Sequence, residues 1–403
     1  MTCGPLAGVR VLDFTWVGAG PLTTKLLADF GADVIKIESR LRPDPLRKTP
    51  PFKDKIEGLE RSGYFANRNS SKRSLALNMA HPQARGIALE LAAASDICAQ
   101  SFRPGTMEKW DLGYEDLAAV RPDIIYLSMP MQGETGPQAS YSGFGATLVA
   151  LSGLYALCGE PDYPPTGTGT NYPDHVPNPM HAAFAVLVAL RHRLRTGEGQ
   201  RVELSQLEST VNIIGPALLA TMGGNEPSRI GNASTYAAPH GVYPCTGVDR
   251  WVAITVDNDV QWKRLVATVG LDEWRDPAFE RAPYRLENRA RLDAELAKWT
   301  SKQSDVEVME RLQGAGVPAG IVADAQDVVE DPQLNHRGAF VWQSHPEIGR
   351  SLYSAPTPKL SRDPGAVHRP APLLGEHTND ICRDLLGWDI EKIQQLRDEG
   401  VLQ

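Results

Sequence analysis

The first forty residues of the chain alternate between strand-like and helix-like segments, and this alternation constrains the fold more than any other feature. The β-branched and apolar run at residues 9–14 predicts a strand, and residues 22–30 predict a helix that ends at a glycine. Between them, residues 18–21 predict a turn in which Pro21 suits the first position of the helix. Residues 33–38 predict a second strand, so the whole segment is typical of a parallel α/β sheet.

The same alternation continues further along the chain. Residues 97–102 and 124–129 predict two more strands, and each of them follows a helix-like stretch. Ligands of parallel sheets bind beyond the carboxyl ends of the strands. The segments that follow the predicted strands therefore form the candidate binding edge: residues 18–21, 39–42 and 103–109.

The middle of the chain contains a proline-rich loop with an apolar helix, followed by a segment with a different pattern of secondary structure. Residues 161–179 are rich in proline and predict a long loop, followed by a helix at residues 180–190 with Asn178 as its N-cap. That helix is apolar on all sides, which predicts that it is buried. Beyond residue 223, a β-hairpin and amphipathic helices predict a smaller α+β domain. The predicted ranges are 1–222 for the large domain, 223–320 for the small one, and 321–403 for a return linker and the C-terminal part of the large domain.

Length and charge narrow the class of protein. At roughly 150 residues per domain, a chain of 403 residues suggests two or three domains. The net charge of -8 disfavours nucleic acid or an anionic membrane as a partner, because both attract a basic surface. The lysines and arginines between residues 40 and 73 form a basic stretch within this acidic protein. They are typical either of a solvated face or of a docking site for a phosphorylated ligand.

The sequence also indicates a compartment. Its apolar runs fall short of the ~20 residues that a membrane span needs, and its start does not resemble a secretory signal. We therefore expect a cytoplasmic protein. The cysteines include no C-x-x-C pair, which predicts reduced thiols rather than disulfides or a zinc site. They are Cys3, Cys98, Cys158, Cys245 and Cys382.

Asp174 is the acidic residue whose position most suggests chemistry. It precedes Asn178 by four residues, in the loop that leads into the apolar helix, where the positive helix end would favour the ionised carboxylate. An ionised carboxylate in a dry cleft is a usable nucleophile toward an activated acyl group. A turn formed with Pro173 would use the same residue structurally, and the spacing alone favours that role.

Other motifs are weak. Residues 18–20 before a helix, with Glu38 after the next strand, partly match a dinucleotide-binding fingerprint, but Thr23 occupies the third glycine position. His175 and His181 fit no metal-ligand spacing, and we expect His181 to be a core residue. The P-loop pattern and the nucleophile elbow of serine hydrolases are absent from the sequence.

Blocks of sequence along nearly the whole chain resemble the class III CoA-transferase family, which includes formyl-CoA and carnitine CoA-transferases. They follow the family's order: residues 6–13, 19–21, 27–38, 72–75, 102–105, 195–200, 316–320, 331–334 and 374–378. The resemblance implies an α/β fold, with a large Rossmann-like domain whose parallel sheet is built from both chain termini and a smaller central α+β domain. It also implies an interlocked dimer, in which two subunits thread through each other.

The resemblance implies functional residues as well. Asp174 matches the family's catalytic aspartate, because it lies in the loop before the helix that leads to the 195–200 block. Further positions match residues that contact CoA in the family: Val17, Ala19, Arg40, Leu77, Ser101, Phe102 and Lys109. The implied cofactor is coenzyme A, bound as part of an acyl-CoA substrate, and no metal is implied.

Departures from formyl-CoA transferase indicate an acceptor other than oxalate. Gly18 stands where that enzyme has glutamine, Trp16 where it has histidine, and Ser101 where it has asparagine. Residues 237–241 more closely resemble the branch that uses succinyl-CoA. The resemblance therefore implies a CoA-transferase that moves CoA from succinyl-CoA to a dicarboxylic or aryl-substituted dicarboxylic acid through an aspartyl-CoA thioester.

Two alternatives remain open. The family includes α-methylacyl-CoA racemases, although residues 141–146 lack the histidine and acid of their G-H-D-x-N-Y block. A catalytically silent CoA-binding subunit of a hetero-oligomer is the other alternative. The predicted partners are an acyl-CoA, a small carboxylic acid and a second subunit that is either identical or homologous.

Overall fold

The strands, numbered β1 to β11 in chain order, form three sheets in the computed structural model, which describes residues 4–403. They are Arg10–Phe14, Asp33–Glu38, Arg73–Ala76, Ile97–Gln100, Ile125–Ser128, Gln200–Glu203, His240–Pro244, Trp251–Thr255, Ala319–Ile321, Phe340–His345 and Gly349–Ser354. β1 to β6 form a parallel sheet, β7 to β9 an antiparallel sheet, and β10 and β11 an antiparallel pair.

The α-helices are numbered α1 to α18 in chain order. They are Ala19–Asp29, Gly63–Asn69, Ala84–Ala93, Tyr114–Val120, Gly145–Leu151, Leu154–Leu157, Tyr172–His175, Pro177–Thr196, Gln206–Val211, Gly215–Met222, Asp259–Val269, Ala282–Glu287, Arg289–Thr300, Asp305–Gly314, Ala325–Glu330, Pro332–His336, Thr378–Leu386 and Ile390–Asp398. Short 3-10 turns connect some of them, including Pro45–Lys48 and Glu108–Trp110.

The parallel sheet has the strand order β3-β2-β1-β4-β5-β6. β1 lies between β2 and β4, with Leu12 beside Ile35 on one side and Cys98 on the other. The chain therefore builds outward in one direction from β1 and in the other from β4. This reversal opens a crevice at the carboxyl ends of β1 and β4, which is where ligands bind in sheets of this kind. The predicted α/β class is confirmed.

Helices cover both faces of this sheet. Neighbouring residues of β1 enter different cores, since Leu12 packs with α3 and α17 whereas Val11 packs with α1 and α8. Side chains alternate between the faces of a strand, so a sheet that is covered twice needs apolar residues at successive positions. Val11 and Leu12 are both fully buried, as this requires.

The chain forms two compact units. The first contains the residues up to Tyr155 together with Gly167–Glu226 and Gln333–Gln403, and the second contains Ala156–Thr166 and Pro227–Pro332. The second unit is built on the β7-β8-β9 sheet and an apolar core around Trp262. The domain ranges 1–222, 223–320 and 321–403 of the sequence analysis remain a prediction beside this division.

The end of the chain packs against the parallel sheet of the first unit. Helix α17 contacts β3, and Leu402 forms a β-bridge with Leu77 just beyond that strand. The side-chain oxygen of Gln403 accepts a hydrogen bond of 2.7 Å from the backbone N–H of Arg40. The C-terminal residues thus supply helices and loop contacts to the sheet. The expectation that both chain termini build the sheet is wrong, because its six strands all lie between Arg10 and Glu203.

Helix α8 differs from its prediction. It begins at Pro177, with Val176 as its N-cap, so Asn178 lies inside the first turn and is buried against Ser209 rather than capping the helix. Prolines are tolerated in a first turn because its N–H groups have no partners within the helix. Only one face of α8 is buried, and Phe184 on the other is 68% exposed.

Candidate active site

Asp174 lies in the one-turn helix α7, and two glycines enclose its carboxylate. A Cβ atom at position 18 would fall 2.8 Å from Asp174 Oδ2, and one at position 145 would fall 2.5 Å from the same oxygen. Gly18 follows β1 and Gly145 begins α5, so separate elements converge on this side chain. Only residues without a side chain leave room for the carboxylate between them.

The Asp174 carboxylate is buried and accepts no hydrogen bond from the described residues. The residue is 5% exposed, and among residues 4–403 no hydrogen-bond donor reaches its carboxylate. Burial raises the pKa of Asp174 to about 6, although the nearby positive charge of Arg68 works in the opposite direction. The carboxylate is therefore ionised at neutral pH but poorly solvated, which makes it more nucleophilic than an acid with several donors.

Arg68 at the end of α2 supplies the positive charge beside Asp174. Its guanidinium donates a 2.9 Å hydrogen bond to Nδ1 of His175, the residue after Asp174. Burial and the charge of Arg68 lower the pKa of His175 to about 4. The His175 ring is therefore neutral at physiological pH, with its proton on Nε2, because an arginine can only donate.

A cavity of about 350 Å³ opens over Asp174 at the carboxyl ends of β1 and β4. We call it the aspartate cavity, and it is lined by Trp16, Val17, Gly18, Ala19, Gly20, Pro45, Ser101, Phe102, Arg103, Pro104, Met131, Ala139, Tyr141, Ser142, Gly143, Phe144, Gly145, Leu148, Asp174 and Gln206. A second cavity of about 290 Å³, the strand-end cavity, lies at the ends of β2 and β3. It is lined by Phe14, Trp16, Ile37, Glu38, Ser39, Leu41, Arg42, Leu77, Asn78, Met79, Ala80, Phe102 and Trp110.

Trp16 and Phe102 belong to the walls of both cavities. Their rings pack edge to face with centroids 5.1 Å apart. The Nε1 atom of Trp16 is buried and has no hydrogen-bond partner among the described residues. An unsatisfied buried donor costs free energy, so this N–H is available to a ligand carbonyl at the boundary between the cavities.

The loop that carries Trp16 is held by side chains beneath it. Ser101 Oγ accepts a hydrogen bond from the backbone N–H of Trp16 and donates one to its carbonyl, at 3.0 and 3.1 Å. Val17 has a left-handed backbone with φ of 66°, and its N–H donates to Asp44 at 3.1 Å. Lys36, fully buried, bonds both Asp44 and the carbonyl of Thr15. These contacts fix the loop from both ends.

The structure brings most of the predicted site residues together. Asp174, Val17, Ala19 and Ser101 line the aspartate cavity, and Phe102 lines both cavities. Leu77 is fully buried at the end of β3 and lines the strand-end cavity.

Two predicted residues lie outside both cavities. Arg40 and Lys109 are exposed and line neither cavity in this chain. Arg40 is nevertheless the neighbour of Ser39 and Leu41, which line the strand-end cavity.

Glu38 is committed to a structural role. Its two carboxylate oxygens accept hydrogen bonds from the buried guanidinium of Arg47 at 2.9 and 2.8 Å. In the dinucleotide fingerprint the corresponding acid binds ribose hydroxyls. This pairing occupies Glu38, so the partial fingerprint at residues 18–20 does not extend to a free ribose-binding carboxylate.

The described residues also bear on metals, cysteines and membranes. Between residues 4 and 403, no cluster of three histidine, cysteine, aspartate or glutamate side chains is placed to hold a metal ion. The thiols of Cys98, Cys158, Cys245 and Cys382 are free, and Cys3 lies outside the described residues. None of the helices described is long and apolar enough to cross a membrane.

His181 is exposed, so the expectation that it is a core residue is wrong.

Sequence reasoning missed several residues around Asp174. Arg68 was visible only as one cation within the basic stretch at residues 40–73, and nothing near it in sequence distinguishes it. Gly145 and Asp44 also reach the site from distant positions. The sequence signal for Gly145 is its place in the segment 141–146, which lacks a base and has glycine at this position.

Comparison with known proteins identifies the family of the chain. The sequence profile described as CoA-transferase family III matches residues 6–378. The chain is 32% identical over 400 residues to a succinyl-CoA–D-citramalate CoA-transferase of Chloroflexus aurantiacus, covering 99% of this chain and 98% of that protein. It is 34% identical over 407 residues to the beta subunit of a succinyl-CoA–L-malate CoA-transferase from the same organism, covering 99% and 98%.

A solved structure resembles the whole fold. The crystal structure of a CAIB/BAIF family protein from Brucella suis has a TM-score of 0.87 and 30% sequence identity, and the match covers 95% of this chain and all of that one. The match along the sequence and the similarity of the fold thus lead to one assignment. The chain belongs to CoA-transferase family III.

Proposed function

We propose that this chain transfers CoA from succinyl-CoA to a dicarboxylic or aryl-substituted dicarboxylic acid, with Asp174 as the nucleophile. One observation carries the proposal: a buried carboxylate without hydrogen-bond donors faces a cavity at the crevice between β1 and β4. The names of the relatives support the donor and the acceptor class, since they pair succinyl-CoA with citramalate and with malate.

The first half-reaction forms the enzyme thioester. Asp174 attacks the thioester carbonyl of succinyl-CoA, the carbon–sulfur bond breaks, and the sulfur leaves as a thiolate with the electron pair. This gives a mixed anhydride between Asp174 and the succinyl group. The thiolate then attacks the aspartyl carbonyl, which releases succinate and leaves Asp174 joined to CoA as a thioester.

The second half-reaction repeats these steps with the acceptor. A carboxylate oxygen of the acceptor attacks the aspartyl thioester, and the thiolate leaves with the electron pair. The thiolate then attacks the acyl carbonyl of the new anhydride, which regenerates the Asp174 carboxylate. One thioester is consumed and one is formed, so no other energy source is needed. The site must exclude water, because water would hydrolyse either anhydride.

The two cavities fit the parts of an acyl-CoA substrate. In the proposal, the strand-end cavity receives the nucleotide end near Leu77 and Arg40, with Lys109 available to the phosphates. The pantetheine arm passes Trp16 and Phe102, where the free Nε1–H of Trp16 suits an amide carbonyl. Val17, Ala19 and Ser101 then line the path to Asp174.

The developing oxyanions need hydrogen-bond donors. The backbone N–H groups at the start of α1, which lines the aspartate cavity, and those of the loop after Asp174 are the candidates.

The proposal includes an interlocked dimer of two large and two small domains. Large apolar side chains on α8 and α10 are exposed in the single chain: Met180, Phe184, Leu187, Val188, Leu218, Leu219 and Met222. Groups of exposed apolar residues on helices are typical of surfaces that a partner covers. A second copy or a homologous subunit would bury them. The cytoplasmic location expected from the sequence stays a prediction.

Mass spectrometry of the Asp174 peptide tests the proposal. Incubation with succinyl-CoA should add CoA to Asp174, and Asp174→Asn should abolish both the adduct and CoA transfer while CoA binding persists. Unchanged transfer by Asp174→Asn would overturn the proposal and favour the silent-subunit alternative. Deuterium washed from solvent into the α-carbon of an acyl-CoA, without any acceptor, would instead favour the racemase alternative.

A further inference from the structure

Arg68 is a cation without a carboxylate partner beside a buried nucleophile. Its guanidinium donates to the neutral acceptors Asn67 Oδ1, at 3.0 Å, and His175 Nδ1, at 2.9 Å. Its Nε atom is buried and has no hydrogen-bond partner among residues 4–403. Burial lowers the pKa of Arg68, and its neighbours Tyr64 and Asp174 offset this effect only in part.

Other buried cations near the site are paired. Lys36 bonds Asp44 at 3.0 Å, Lys72 bonds Asp13 at 2.9 Å, and Arg47 forms an ion pair with Glu38 at 2.8 Å. Buried charges are normally compensated in this way, because removing a charge from water is costly. Arg68 forms no salt bridge within the described part of the chain. A bound anion would compensate its charge.

A third cavity lies beside the groups that Arg68 contacts. The Arg68 guanidinium lies 5.7 Å from the centre of the Tyr64 ring and contacts His175. Tyr64 and His175 both line a cavity of about 650 Å³, together with Asn171 and the glycine-rich residues 167–170. We call it the tyrosine cavity. Helix α7 thus places Asp174 on the aspartate cavity and His175 on the tyrosine cavity, in adjacent residues.

The chemistry of the free groups suits a carboxylate. A guanidinium presents parallel N–H donors that match the two oxygens of a carboxylate, and the Nε–H of Arg68 is unused. His175 does not compete for the anion, because its ring is neutral at physiological pH. Asp174 does not serve as the partner either. The charge of Arg68 lowers the pKa of Asp174, but the two side chains form no hydrogen bond.

We propose that Arg68 binds the remote carboxylate of the acyl group, the one that is not bonded to CoA. This inference rests on the proposed function. The acyl groups of donor and acceptor bond to the same Asp174 carboxyl in the two half-reactions, so both occupy the same place. One cation therefore serves succinate and the acceptor in turn, and it favours dicarboxylic over monocarboxylic substrates.

The selectivity of adduct formation tests this role. Charge-assisted hydrogen bonds to a buried guanidinium correspond to a preference of roughly 10- to 100-fold for a dicarboxylic over a monocarboxylic acyl group. We therefore expect Arg68→Gln to lower the rate of Asp174–CoA formation from succinyl-CoA by that factor. The rate from butyryl-CoA, which has the same chain length and no second carboxylate, should fall much less when both rates are measured at pH 8 or above, where Asp174 stays ionised in the variant as well.

Two further variants separate recognition from folding. Arg68→Lys keeps the charge but not the paired donors and should retain part of the preference for succinyl-CoA. Arg383→Gln removes an exposed arginine whose partners, Asp380 and Asp384, lie on its own helix, and it should change neither rate. Calorimetry with free succinate and butyrate gives a second readout: Arg68→Gln should lose succinate binding only.

The outcomes separate this inference from the proposed function. Equal losses with succinyl-CoA and butyryl-CoA in both Arg68 variants would show a structural arginine and overturn the inference, while the Asp174 adduct would still stand. An unchanged preference in Arg68→Gln would overturn it as well. Failure of the unaltered protein to form the Asp174 adduct with any acyl-CoA would overturn the proposed function itself, and the inference with it.

Discussion

Gly145 lies so close to Asp174 that a Cβ atom at position 145 would fall 2.5 Å from the Asp174 Oδ2 atom. Its φ angle is one that any residue adopts, so the reason for glycine here is space and not backbone freedom. The carboxylate can occupy its position only because nothing projects from the start of α5. The two residues therefore define the nucleophile together, although 28 other residues separate them in sequence.

Gly145→Ala should displace the carboxylate and lower the rate of CoA transfer by about 100-fold, since small errors in the position of a reacting group are this costly. The fold should persist, because the added methyl group meets a side chain rather than backbone. The rate of CoA transfer in timed assays and the yield of the Asp174–CoA adduct by mass spectrometry measure the effect. Gly86→Ala is the matched control: this helical glycine has nothing within 4 Å of an added Cβ, and the variant should retain full activity.

The pH dependence of the first half-reaction should report Asp174. Its pKa is raised to about 6 by burial, and only the ionised carboxylate attacks the thioester. The rate of adduct formation should thus fall as the pH decreases through 6, to about one tenth of its plateau at pH 5. Arg68→Gln removes the charge that lowers the pKa of Asp174, so the acid limb should move to higher pH. A profile that is flat between pH 5 and 8 would contradict this assignment.

Asp174→Asn should stabilise the protein while abolishing transfer. The folded pKa, about 6, lies above the model-peptide value of 3.8, so the folded state binds the proton more tightly than the unfolded state does. The free energy of unfolding therefore decreases as the pH rises from about 4 through 6. A difference of about 2 pKa units corresponds to about 3 kcal/mol. Denaturant titrations should show a gain of that order in Asp174→Asn at pH 8 and none at pH 4.

Much of this arrangement could be read from the sequence. The alternation at residues 9–38 predicts β1, α1 and β2 because β-branched runs, a proline at a helix start and a glycine after the helix each have a local cause. The hairpin of β7 and β8 and helix α11 follow from equally local patterns and are confirmed. The order of the family blocks and the loop that leads into α8 together predict Asp174.

The environment of Asp174 could not be read in the same way. Arg68 and Gly145 reach it from other elements, and their proximity arises from tertiary packing rather than from any local periodicity. The exposed side of α8 was also missed, because an apolar helix looks the same in sequence whether its own chain or another chain covers it. An apolar sequence predicts that a surface is buried, but it does not show which chain buries it.

Asp44→Asn should loosen the loop that carries Trp16. The Asp44 carboxylate is fully buried and accepts hydrogen bonds from Lys36 and from the backbone N–H of Val17. Its loss leaves the Lys36 ammonium without its ion-pair partner, which should destabilise the fold by up to about 3 kcal/mol because Glu38 and Asp13 still stabilise the charge. KM for the acyl-CoA should rise, because Trp16 lines both cavities. Asp54→Asn, at an exposed pair with Lys53, should change neither stability nor KM.

The exposed face of α8 gives the last prediction, which concerns assembly. Phe184 is 68% exposed in the single chain and lies on α8 with Met180 and Leu187, which are also exposed. If a second subunit buries this face, Phe184→Asp places a charge in an apolar contact and should dissociate the dimer, because an unpaired buried charge is costly. Light scattering after size exclusion measures the mass directly. Val248→Asp is the control, since Val248 is 94% exposed in the turn between β7 and β8 and should leave the mass unchanged. A dimer that survives Phe184→Asp would show that α8 does not form the interface.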